Sequence, residues 1–155
     1  MKKQSAPDED WQRIWLSARE KDWSSLVLVP NDASVDIVPL AEALARTGRV
    51  HAEVPVKVIN GTGVQLADVQ QFIESISATT ARGERVIVPV DPVSDNPSAI
   101  AILRAASAAL LVMTLGESLM AAAQTTIEAI GRDRIIGSVV VKPKPGTPAE
   151  RVSST

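Results

Sequence analysis

Three aspartates, Asp36, Asp91 and Asp95, are the residues of this 155-residue chain best suited to chemistry. Each stands just past an apolar run. In a parallel sheet such positions gather at the carboxyl ends of the strands, where ligands bind. Carboxylates gathered there would hold Mg²⁺ or act as a base. The plainer reading makes them loop residues that cap the helices starting at Ile37 and Ser98. Gly61-Thr62-Gly63 resembles a fragment of a phosphate loop, but no Gly-x-Gly-x-x-Gly pattern continues it, so it reads as an ordinary loop. His51 is the single histidine and has no identifiable partner, which points to a structural or solvent-facing role. With no cysteine, thiolate chemistry and cysteine-ligated metals are excluded. No metal site and no cofactor site is expected.

The elements that must position these residues follow from apolar spacing. Residues 1–9 are polar and read as a mobile tail. An amphipathic helix starts at Asp10 and carries Trp11, Ile14, Trp15 and Ala18 on one stripe. Trp11 and Trp15, one turn apart, should bury against the domain or a second copy of it, with Trp23 covering the same junction. Strand and helix then alternate. Strands are expected at Ser25–Val29, Arg85–Val88, Ala109–Met113 and Ile135–Val141, with one or two more within Val50–Ile59, where Pro55 marks an edge. Helices are expected at Ile37–Arg46 with a stop at Gly48, from Leu66 to near Gly83, at Ser98–Ala106 and at Ser118–Ile130. Leu115-Gly116-Glu117 reads as a turn, and the proline-punctuated residues 143–155 as a disordered tail.

Alternation of this kind predicts an α/β fold. It is a Rossmann-like three-layer sandwich with a mostly parallel five- or six-stranded sheet, helices on both faces and the N-terminal amphipathic helix. Residues 10–142 form its single domain. Four runs, Leu26–Val29, Val86–Val88, Leu110–Met113 and Val139–Val141, lack polar interruption and are expected in the sheet interior, covered on both faces.

Hydrophobic residues make up 45% of the chain and charged ones 22%, enough to bury a core and stay soluble. A net charge of −2 predicts no nucleic-acid footprint, which needs a basic stripe. The N-terminus leads into Asp8-Glu9-Asp10 rather than an apolar run, so no signal peptide and no direct membrane insertion are expected. The chain reads as cytoplasmic.

The order of segments from about residue 25 to 141 resembles that of the MinD/ParA-like P-loop ATPases, above all their closing arrangement. It is most similar to the cytoplasmic domain of bacterial polysaccharide-export tyrosine kinases. The similarity is carried by Val86-Ile87-Val88-Pro89-Val90-Asp91-Pro92, by Ser107 to Ser118 around the strand Ala108–Thr114, and by Ile135-Ile136-Gly137-Ser138-Val139-Val140. Leu40 to Val50 is similar to the helix after the phosphate loop.

The departures fall on the nucleotide-handling elements. The family's loop is glycine-rich and ends Gly-Lys-Ser/Thr, so that its amides cradle phosphates while the lysine reaches the outer oxygens. Here the corresponding positions are Pro30, Asn31, Asp32, Ala33, Ser34, Val35 and Asp36, with neither glycine nor lysine. The second-motif aspartate aligns with Pro89, and Asp91 lies two residues further on. Those kinases phosphorylate tyrosines in their own tail, and this chain has no tyrosine. The resemblance therefore implies a pseudo-ATPase or pseudokinase: a non-catalytic partner or regulator in exopolysaccharide or capsule synthesis and export. Its partner would be a membrane-anchored polysaccharide polymerisation/export protein, which would recruit it to the inner membrane, or a second copy of itself. Two other readings stay open: a nucleotide-binding MinD/ParA-like ATPase with an atypical phosphate loop, and an unrelated Rossmann-like enzyme acting on a small ligand.

Overall fold

Five apolar runs assemble into one all-parallel sheet of order β2-β3-β1-β4-β5. The computed structural model describes residues 2–114 and 119–141. The strands are β1 (Ser25–Pro30), β2 (Val56–Val58), β3 (Arg85–Pro89), β4 (Ala108–Thr114) and β5 (Ile135–Val141). The helices are α1 (Lys2–Arg19), α2 (Ile37–His51), α3 (Val69–Ala81), α4 (Ser98–Ala105) and α5 (Leu119–Ile130). The Gly116 turn and the 143–155 tail lie outside the described residues.

β1, β3 and β4 are buried on both faces, which is why their sequences are continuous apolar runs rather than alternating ones. On one face α1 and α2 pack over Leu26, Leu28, Ile87 and Leu110. On the other, α3, α4 and α5 pack over Val27, Val29, Val88 and Leu111. The connection from β1 to β2 runs one way along the sheet and uses α2. Those to β3, β4 and β5 run the other way and use the opposite face, as a uniform crossover hand requires.

Three expectations about the elements are corrected. Helix α1 begins at Lys2, not Asp10, and residues 2–9 continue its backbone. Apolar spacing starts only at Trp11 and gives no signal for the polar turns before it. Of the one or two strands expected within Val50–Ile59 there is one, β2, because α2 runs on to His51 before the chain extends. Gly48 lies inside α2 rather than at its stop. A Cβ there would stand 2.7 Å from the indole of Trp15, so the glycine is a notch that admits the ring. Lastly, Val139–Val141 is not in the interior. β5 is the outermost strand and Val140 is 51% exposed, because among the described residues no strand lies beyond it.

Trp15 is 1% exposed and Trp23 3%, both within the domain's own core, and Trp11 packs against the same cluster. The rings of Trp15 and Trp23 meet edge to face with centroids 5.8 Å apart. The indole N–H of Trp23 donates to the Ala18 carbonyl at 3.0 Å, and the Arg85 guanidinium lies 5.0 Å from its ring centroid.

Candidate functional site

In a sheet of this topology the ligand crevice opens where neighbouring strands send their connections to opposite faces. β1 and β4 are such a pair, since the chain leaves β1 toward α2 and leaves β4 toward α5. The rim there is built from the loops 30–36 after β1, 59–65 after β2 and 90–97 after β3. Residues 115–118 after β4 lie outside the described residues.

The three loops supply side-chain oxygens to amides of the rim itself. After β1, the Asp32 carboxylate accepts from the Ser34 amide at 2.9 Å and from the Ser34 hydroxyl. This is a local turn in which an aspartate takes the place an external anion would fill. After β2, Asn60 Oδ1 accepts from the Thr62 amide at 2.9 Å and the Thr62 hydroxyl at 2.7 Å.

The third tie joins two loops. Asp91 Oδ2 accepts from the Gly63 amide at 2.8 Å and from Asn96 Nδ2 at 2.9 Å. Gly63 has φ +75°, a conformation that suits glycine and turns its amide toward that carboxylate. Asn96 Nδ2 also donates to the Val64 carbonyl at 3.2 Å, and its Oδ1 accepts from the Ser98 amide at 3.1 Å. The opening amides of α4 are thereby occupied: Ser98 by Asn96 Oδ1, Ala99 by the Asn96 carbonyl and Ile100 by the Pro97 carbonyl.

The sequence-predicted residues are placed as follows. Pro30 ends β1 and Pro89 ends β3, both buried, and the Pro89 carbonyl accepts from the Gly61 amide at 2.8 Å. Asn31 is 5% exposed and its amide donates to the Val112 carbonyl at 2.9 Å, binding the loop to β4. Ala33 is exposed, and Val35 is partly buried against the α1/α2 side of the core. Asp36 holds the N-cap position of α2, but its side chain makes no capping bond. Asp95 is exposed and does not cap α4; Asn96, absent from the sequence-based candidates, does. Asp91 is a structural tie between two loops. Among the described residues no three His, Asp or Glu side chains group in an arrangement that could hold a metal ion. His51 is exposed on the last turn of α2, away from this rim.

Electrostatically the rim is one-signed. Residues 30–36, 59–65 and 90–97 hold Asp32, Asp36, Asp91 and Asp95 and no lysine, arginine or histidine. The first turn of α2 is short of one donor, since Pro39 carries no amide hydrogen, and Pro30 at the end of β1 has none either. No family model, no curated protein and no solved structure matches the chain. Chemistry at this rim is therefore judged on its geometry.

Proposed function

We propose that this chain is a non-catalytic α/β domain that works through protein contacts rather than nucleotide chemistry. One observation carries the reading: the loops that would cradle a phosphate give their amides to their own side chains, Asp32 and Asp91 above all. An incoming triphosphate would have to displace a carboxylate from each and then sit beside it. At a separation of a few ångströms each like-charge encounter costs on the order of 1–4 kcal/mol, depending on screening. No lysine stands in these loops to offset it.

The setting in exopolysaccharide or capsule synthesis and export comes from the resemblance to the polysaccharide-export tyrosine kinases. The same resemblance supplies the partner, a membrane-anchored polymerisation/export protein that would bring the chain to the inner membrane. Its support is the order of motifs between residues 25 and 141. The exposed β5 edge counts against it at one strand. No helix among the described residues is long and apolar enough to cross a membrane.

A thermal-shift series with saturating ATP·Mg²⁺ tests the reading. The melting temperature should not move. Ligand binding to the folded state at a hundredfold excess over Kd stabilises by about 2.7 kcal/mol, so a clear upward shift would favour the nucleotide-binding alternative.

A further inference from the structure

The loop after β2 carries the chemistry for a spontaneous reaction. Of the three asparagines in the chain, Asn31 precedes Asp32, Asn96 precedes Pro97 and only Asn60 precedes a glycine. An asparagine before glycine loses its side-chain amide most readily, because no Cβ on the next residue obstructs attack by that residue's nitrogen. In this reaction the Gly61 nitrogen gives its proton to water or hydroxide and bonds to Cγ of Asn60. The Cγ–Nδ2 bond breaks, and the nitrogen takes a proton from water and leaves as ammonia. Water then opens the cyclic imide at either carbonyl, leaving an aspartate or an isoaspartate at position 60. Water is the only co-reactant, and nothing is oxidised or reduced.

The folded loop withholds the nucleophile. The Gly61 amide donates to the Pro89 carbonyl at 2.8 Å, and two residues earlier the Ile59 amide donates to the Ile87 carbonyl at 3.1 Å. The pairing of β2 with β3 is thereby continued through the reacting peptide. To attack, the Asn60–Gly61 peptide has to turn its nitrogen out of that bond. Gly61 is buried, which keeps base from its proton, although Asn60 is exposed. The electrophile is held as well, since Asn60 Oδ1 accepts from the Thr62 amide and hydroxyl. Just beyond, the Asp91 carboxylate holds the Gly63 amide.

The glycine that creates the hazard is required by packing. A Cβ at Gly61 would lie 3.0 Å from the Pro89 carbonyl oxygen, 3.1 Å from Val88 Cγ1 and 3.2 Å from the Phe72 ring. The same crowding decides what each product does. An isoaspartate runs the backbone through the side chain and lengthens it by a carbon, which moves the Gly61 amide off the Pro89 carbonyl where there is no slack. An aspartate leaves the backbone length unchanged and still accepts from Thr62.

We propose that Asn60-Gly61 is a deamidation site gated by the rim: protected while the rim is closed, reactive once it opens, and barred by the isoaspartyl product from closing again. The gate depends on the ties within the rim, whatever the rim binds. The test is incubation of the full chain, folded and in concentrated urea at one neutral pH, followed by digestion and mass spectrometry. In urea, conversion should start at Asn60, with isoaspartate as the major product. In the folded protein it should be at least about tenfold slower, equivalent to a local opening cost of at least about 1.4 kcal/mol. Asp91→Ala, or Thr62→Ala should melting curves show that the first does not fold, should raise the folded rate several-fold and leave the rate in urea unchanged. The isoaspartyl product, isolated and refolded, should melt below Asn60→Asp. Equal rates folded and in urea, slower loss at Asn60 than at Asn31 in urea, or indifference to the rim substitution would overturn the proposal. So would an isoaspartyl product as stable as Asn60→Asp.

Discussion

Trp15 and Gly48 show how a single contact carries a helix. The ring fills the space that a Cβ at residue 48 would need, and it is almost fully buried there. Trp15→Ala should cost about 3–5 kcal/mol, the range for large-to-small core changes. An unchanged melting temperature would place α1 outside the core. Gly48→Ala alone should cost about 1–3 kcal/mol through overpacking. In the Trp15→Ala background the same change should be neutral or stabilise by up to about 1 kcal/mol, because alanine favours helix over glycine once the ring is gone. Denaturant melts of the four proteins measure this coupling. The sequence placed Trp15 on the correct stripe of α1. The glycine read as a helix stop because its partner, 33 positions earlier in the chain, is invisible to local spacing.

A second residue-level prediction concerns acid. The Lys57 ammonium pairs with the Glu84 carboxylate at 3.1 Å and Arg82 donates a hydrogen bond to it at 3.0 Å; together they hold it below the usual glutamate range. A carboxyl whose folded-state value is lowered contributes stability that is present above its unfolded value and lost as pH falls through the folded one. Wild type should therefore exceed Glu84→Gln in stability at neutral pH. The gap should close on acidification below the ordinary glutamate value. A gap independent of pH would show that the ion pairs are not its source.

At the scale of elements, β1 and β4 are locked in register at their start by two serines. Ser107 Oγ accepts from the Ser24 and Ser25 amides, each at 3.0 Å, while the Ser107 amide donates to Ser25 Oγ at 2.9 Å. Ser107→Ala removes the acceptor and should cost about 1–2 kcal/mol, with water repairing the more exposed amide. Asp91→Ala breaks the tie between the loops after β2 and β3 and should cost a similar amount, about 1–3 kcal/mol. If Asp91→Ala left stability untouched, the aspartate's place at the rim would need another explanation. Strands were legible wherever burial on both faces forced continuous apolar runs, as in β1, β3 and β4. Val139–Val141 has the same composition, yet composition does not tell an interior strand from an unguarded edge. That depends on whether a further strand follows in space. Asn96 was missed for a related reason: its bonds reach Asp91, Val64 and Ser98 across two loops, and no local motif announces them.

For the molecule as a whole, the sheet brings the loops after β1, β2 and β3 to one rim, and that rim is acidic and internally hydrogen-bonded. The topology offers a ligand crevice while the side chains occupy its donors. Sequence spacing showed the missing glycine and lysine of residues 30–36; only the fold shows that Asp32 and Asp91 take the amides instead. Calorimetric titration of the full chain with ATP·Mg²⁺ tests this most directly. The account predicts no saturable heat into the millimolar range, for wild type and for Asp32→Ala alike, since the loop lacks a lysine with or without that carboxylate. A saturable isotherm below about 100 μM, equivalent to more than about 5 kcal/mol of binding free energy, and lost on substitution within residues 30–36, would contradict it.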